Sequence, residues 1–255
     1  MRQSNDMKTL MKLTFLELKL FIREPVSMVF TFALPVIFLL VMGGVFGSVA
    51  VEENEIMFRG VAPMDYYTPA YIALVLTSLG VLTLPVHLTT YREQGVLKRM
   101  HASGIHAGMV LFSQGVSSLV VALIGAGILW GAAVLIYDIS EPHDLLLVSA
   151  AFVLGTLCFT SIGVALGATL PSTRTAQGLG LMLFFIMLIL GGAGPPPELL
   201  TGTMRTIGDL TPTNHVIALL QNPWLGFGWS MKETAIVGGI TVVVGFIALK
   251  FFHWE

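Results

Sequence analysis

Charged residues are missing from six long stretches of this chain, and their absence fixes what it can fold into. Positions 25–51, 66–91, 107–137, 145–173, 175–197 and 234–249 hold no Lys, Arg, Asp or Glu. Most of these intervals supply about 20 predominantly apolar residues, enough α-helix to cross roughly 30 Å of hydrocarbon. A soluble domain carries about 25% charged residues to wet its surface, whereas this 255-residue chain carries 11%. Helices without a charged face cannot form the shell of a soluble core. Outer-membrane strands are excluded as well, because each apolar run is continuous rather than alternating in segments of about ten residues. A helix satisfies its own backbone in lipid. The expected fold is all-α: a polytopic membrane protein, one domain of six transmembrane helices, at about 26–47, 66–90, 108–136, 146–170, 176–194 and 233–250.

Ahead of the first span, residues 7–24 place Leu10, Leu13, Phe15, Leu18, Leu20 and Phe21 among Lys8, Lys12, Glu17, Lys19 and Arg23. Apolar residues at helical spacing with basic residues between them predict a helix lying in the membrane interface. Glu24-Pro25 then turns the chain into the bilayer, since proline opens a helix without losing a hydrogen bond. The first apolar run is too long for the core of a cleavable signal peptide.

With the N-terminus in the cytoplasm, ten Lys and Arg fall on the inner side and only Arg59, Arg205 and Lys232 on the outer side. That split predicts both termini to be cytoplasmic. The outer connections carry Glu52, Glu53, Glu55, Asp65, Asp138, Glu141 and Asp144, read as a solvated face. A net charge of −2 without a basic stripe excludes a nucleic-acid partner. Cys158 is the single cysteine, so neither an internal disulfide nor a thiolate metal cluster is available. No Walker phosphate loop and no His-Glu-x-x-His zinc site is present, and the chain is expected to bind no cofactor or metal and to catalyse no reaction.

Two connections stand out. Residues 91–106 read Y-R-E-Q-G-V-L-K-R-M-H-A-S-G-I-H, a short charged segment between two spans that predicts a helix ending near Gly104. Val96, Leu97 and Met100 are expected to face a partner. Residues 195–231 follow Gly191, Gly192 and Gly194 with Pro195, Pro196 and Pro197, which must end the fifth span. Two short helices are expected there, one over 198–210 and one over about 213–221, as a re-entrant element rather than an ordinary loop. Glycines four apart at Gly43/Gly47, Gly127/Gly131 and Gly163/Gly167 allow close helix approach. His87, Gln114, Ser117 and Ser118 are polar groups within spans, serving a pathway or bonds between helices. Asn214 and His215 show no partner at ligand spacing.

These segments together resemble the type-2 ATP-binding-cassette exporter permeases over nearly the whole chain. The resemblance rests on R-E-P at Arg23–Pro25, the glycine-rich run from Pro35 to Gly47, and R-E-x-G-x-L-x-R on Arg92, Glu93, Gly95, Leu97 and Arg99. It continues through Leu190, Gly191, Gly192, Pro196, Leu199 and the stretch from Pro212 to Leu219. Pro195–Glu198 departs from it, since many relatives have a bulky residue before a single proline.

The resemblance implies a bacterial or archaeal cell (plasma or inner) membrane and two separate ATPase subunits that hold ATP and Mg. It also implies a second permease copy or paralogue, and an apolar or amphipathic cargo such as a drug, lipid or lipid-linked glycan. Residues 7–23 would be the connecting helix. Arg92, Glu93, Gly95, Leu97, Lys98, Arg99 and Met100 would form the coupling helix against the ATPase. Gly191, Gly192, Pro196, Glu198 and Pro212 would shape an outer gate. A secondary transporter would instead need ionisable residues at mid-bilayer and an inverted repeat. A lipid-modifying membrane enzyme would need a cluster of Asp, Glu, His or Lys at one depth, and a purely structural assembly factor is the third alternative.

Overall fold

The computed structural model describes residues 2–46 and 58–251, and all secondary structure among them is helical. In chain order the elements are α1 (Arg2–Ile22), α2 (Pro25–Phe46), α3 (Pro63–Glu93), α4 (Val96–Ala102), α5 (Ala107–Tyr137), α6 (Leu145–Thr169) and α7 (Thr173–Leu190). A 3₁₀ turn at Pro197–Leu199 follows, then α8 (Gly202–Leu210), α9 (Pro212–Trp224) and α10 (Met231–Phe251). Six of them, α2, α3, α5, α6, α7 and α10, are long and apolar enough to span a membrane.

α3 is the axis of the bundle. It is buried along its whole apolar length and packs against α2, α5, α6, α7 and α9. Tyr66, Tyr67, Tyr71, Leu74 and Leu76 are fully enclosed. A helix apolar on every side is one built to be surrounded. α10 is the opposite case: it lies on α6 and turns Val242, Val243, Phe246 and Leu249 outward, the face lipid would cover.

Both α2 and α3 contain a prolonged turn of π type, at Val29–Ala33 and Leu79–Thr83. Each is centred four residues before a proline, on Thr31 before Pro35 and on Val81 before Pro85. The proline ring would clash with the carbonyl four residues back, and a widened turn moves that carbonyl aside. α3 and α6 meet at Gly163, where an added Cβ would lie 2.6 Å from the Gly80 carbonyl and 2.7 Å from Leu84 Cβ. Of the three spaced glycine pairs, Gly163/Gly167 therefore makes a helix crossing. Gly127 and Gly131 face open space, Gly43 lies against Tyr137, and Gly47 falls outside the described residues.

The span ends differ from expectation most at α7. It starts at Thr173 rather than 176, because the Ser172 hydroxyl accepts the Thr175 N–H at 3.2 Å and caps the helix. It stops at Leu190 rather than 194, where the glycines and three prolines end helical bonding. α9 then continues the crossing. Its Thr213 hydroxyl pairs with Thr77, halfway along α3, at 3.0 Å, while Gln221 Nε2 donates to the Tyr66 carbonyl near the start of α3 at 2.9 Å. Val216, Leu219 and Leu220 are fully buried. α9 is thus a half-length helix that starts at mid-bundle depth. At its N-terminus the Thr211 hydroxyl accepts one of the free backbone groups, the Asn214 N–H, at 3.4 Å.

The connections divide between two ends. One end gathers α4, the α6–α7 turn and the last turns of α10. The other gathers Arg59, the α5–α6 connection and the 222–228 turn after α9.

Candidate functional site

α4 is fixed to the end of α3 by a two-residue turn, Gln94 and Gly95, and by Leu97, which is buried with Tyr91 and Val110. Leu97 therefore anchors α4 and does not face outward as expected. Val96 and Met100 also pack partly on that small core. The side chains presented to the exterior are Lys98, Arg99 and His101.

Arg92 and Glu93 both make bonds within the chain. The Arg92 guanidinium reaches the carbonyls of Gly167 and Ala168 at 3.3 Å each, and also bonds that of Leu170. It caps the C-terminal end of α6, where positive charge complements the helix dipole. Glu93 does the reverse for α7: its oxygens accept the Thr173 N–H at 2.9 Å and the Thr173 hydroxyl at 2.8 Å. A carboxylate at a helix N-terminus is likewise favoured. The two residues clasp the 170–173 turn and tie α3 to α6 and α7.

One helical turn deeper lies a polar cluster that joins α1 to the bundle. Leu13, Glu17 and Phe21 form the buried face of α1, and the Tyr91 hydroxyl donates to Glu17 Oε2 at 2.8 Å. Glu24, the residue before α2, bonds the His87 ring and accepts the Ser27 hydroxyl at 3.1 Å. His87 thus meets a carboxylate supplied by the turn between α1 and α2. The His87 and Tyr91 rings stack at 6.4 Å.

Burial pushes the Glu17 carboxyl above its ordinary range, and the Tyr91 hydrogen bond and the His87 charge offset only part of that. At Glu24 burial acts in the same direction, but the bond to His87, its charge and Ser27 outweigh it and hold the carboxyl below the usual range. Gln114 and Ser118 line a cavity of about 20 Å³ beside Glu17, together with Ser117 and Thr83. The Gln114 Nε2 and Thr83 hydroxyl are buried without a hydrogen-bond partner among the described residues. Such a volume and lining suit one water molecule.

At the opposite end, Gly191 and Gly192 turn the chain after α7, with Gly192 at φ 96° and packed on Pro197. Pro196 is buried and Pro212 opens α9, while the Glu198 side chain lies outside the described residues. A polar cavity of about 470 Å³ opens between α8, α9 and the start of α10. His215 is partnered there by Glu233 at 2.6 Å and the Asp209 carbonyl at 2.9 Å, which its sequence surroundings do not show. Among the described residues no group of three His, Cys, Asp or Glu side chains could hold a metal ion.

Glu17 and Glu24 are the functional candidates that sequence reasoning did not single out. The signal for Glu17 is its register: it stands four residues from both Leu13 and Phe21, inside the apolar stripe.

Residues 8–223 match the ABC-2 type transporter family. The chain is 20% identical over 210 residues to the Bacillus subtilis (strain 168) protein named "Putative transport permease YvfS", an alignment covering 82% of each chain.

Proposed function

The chain belongs to the ABC-2 type transporter family, and from that premise we propose that this membrane transport permease is the transmembrane subunit of an ATP-driven exporter. Two separate ATPase subunits hold ATP and Mg and carry out hydrolysis, and a second permease copy or paralogue completes the path. The cargo is an apolar or amphipathic solute, since the span faces offer no fixed charge for holding a small ion. The α4 end faces the cytoplasm of a bacterial or archaeal cell, a reading supported by ten Lys and Arg on that side against three on the other.

The observation that carries this reading is the clasp behind α4. α4 is short, presents Lys98, Arg99 and His101 outward, and is held by Leu97 at the end of the fully buried α3. Through Arg92 and Glu93 the same point is tied to α6 and α7. A push on α4 as the ATPase subunits close would reach three spans at once, and rocking of those spans changes access at the interface between two permeases. A rigid, fully bonded lever is what transmission by small displacements requires. The ionisable groups Glu17, Glu24 and His87 lie toward this end and bond one another's helices, rather than standing at mid-depth as a proton-coupled carrier would use them.

Co-purification with a candidate partner ATPase, in native lipid, tests the reading. The wild-type complex is expected to hydrolyse ATP, and Lys98→Glu/Arg99→Glu to lose most of that hydrolysis while the permease alone melts at an unchanged temperature. Failure of any complex to form, or full hydrolysis by the double variant, would count against coupling through α4.

A further inference from the structure

The chain has thirteen Lys and Arg, and only Arg59, Arg205 and Lys232 belong to the α9 end. All three line the one cavity of about 470 Å³ between α8, α9 and α10. The rest of that end is acidic, with Asp65, Asp138, Glu141 and Asp144 in its connections. A positive site confined to one concavity on an otherwise negative surface needs an explanation other than topology, which would be served equally well by scattered or absent cations.

The cavity's carboxylates are already engaged. Asp209 receives Arg205 at 3.2 Å and Asn214 Nδ2 at 3.3 Å. Glu233 holds His215 at 2.6 Å and lies 3.7 Å from Lys232. Arg59 is held by neutral groups instead: Asn222 Oδ1 at 3.0 Å and the ring of Phe227, 4.4 Å from the guanidinium carbon. Among the described lining residues, three cations stand against two carboxylates, one positive charge in surplus. The volume is that of a small-ligand site. α8 turns Arg205 and Asp209 to the cavity and exposes Met204, Ile207 and Leu210 on its opposite face.

We propose that this cavity binds an oxyanion of the phosphate or carboxylate class, either free or carried on a lipid headgroup. Arg59 offers a forked donor that matches such a group, Arg205 is held beside it by Asp209 and the Pro197 carbonyl, and Lys232, 79% exposed at its side chain, stands at the rim. The site is independent of ATP-driven export, because binding is read on the permease alone, without ATP or a partner.

The test uses the full chain and two probes. Detergent-purified protein is equilibrated with equal phosphatidylglycerol and phosphatidylcholine and the retained lipid is counted by native mass spectrometry. In parallel, protein in phosphatidylcholine nanodiscs is titrated with inorganic phosphate. Wild type is expected to prefer phosphatidylglycerol, and Lys232→Gln and Arg59→Gln each to weaken that preference by about tenfold, the worth of one charge-assisted bond. Lys232→Arg restores it. Lys98→Gln, which removes the same charge at the α4 end, leaves it unchanged. Lys232→Gln touches no packed contact, so loss of fold does not confuse the result. Phosphate binding that depends on Lys232, without a lipid preference, supports the site and assigns it a free anion. Equal behaviour of wild type and the Arg59→Gln/Lys232→Gln double variant toward both probes overturns it.

Discussion

The two ends of the bundle use the same residue types for opposite purposes. At the α4 end, Arg92 and Glu93 are turned inward onto the helix termini of α6 and α7, and their charges are matched by backbone dipoles. At the α9 end, Arg59, Arg205 and Lys232 surround a cavity wide enough for a ligand, with fewer carboxylates than cations. A charge at a helix end works as a structural part, whereas a charge on a void is available to something that enters. Counting Lys and Arg by side bears on orientation but does not show this division. The first end is suited to moving as one piece and the second to admitting a guest.

The sharpest way to break that contrast is Arg92→Ala. If Arg92 is structural, its loss leaves carbonyls of Gly167, Ala168 and Leu170 without their donor, and the permease alone should lose about 2 kcal/mol of stability, as measured by thermal or denaturant unfolding in detergent. Unchanged stability would return Arg92 to the list of partner-facing residues. A substitution at Arg92 is therefore a poor probe of ATPase contact, which Lys98 and Arg99 report more cleanly.

A smaller effect separates two glutamates on either side of the α1–α2 turn. Glu17 is raised in the fold above its ordinary value of 4.5. Its contribution to stability is complete below that pH and is lost as pH rises through the folded value. Glu24 is lowered, so its contribution is present above pH 4.5 and is lost as pH falls through the folded value. Melting curves between about pH 4 and 8 should show Glu17→Gln gaining on wild type as pH rises. Glu24→Gln should be weaker than wild type at neutral pH and converge with it in acid. Parallel curves for all three proteins would mean that neither carboxyl differs between folded and unfolded chain.

Much of the fold is legible because lipid imposes a coarse rule: absence of charge over about 20 residues marks a span. That rule places α2, α3, α5, α6 and α10 within a few residues. It misplaces the ends of α7, which are set by local chemistry, the Ser172 cap and the stop at Gly191. The two π turns are less visible still, although each sits on the residue four before a proline. A proline marks where a helix must adjust but does not say whether it breaks, kinks or widens. The candidate site was legible only as separate segments. Residues 91–106 and 195–231 stand out by composition, but Leu97 turns inward, and Glu17 reads as one more interfacial charge. Which side of a short helix is covered depends on neighbours far along the chain, as Tyr91 covers Glu17 across 74 positions.

Gly95 offers the finest test of the lever. It holds φ 65° in the turn between α3 and α4, and no atom lies within 4 Å of where its Cβ would be. Gly95→Ala therefore adds no collision, only the cost of a left-handed backbone for a residue with a side chain, about 1 kcal/mol. If α4 is a rigid extension of α3, that strain should appear as a small drop in melting temperature with ATPase binding retained. If the turn is a hinge that relaxes to another backbone conformation, stability should hold and ATPase coupling should fall instead. The two readouts move in opposite directions, so a single substitution distinguishes a lever from a loose link at the one end of the molecule where the charges are already committed.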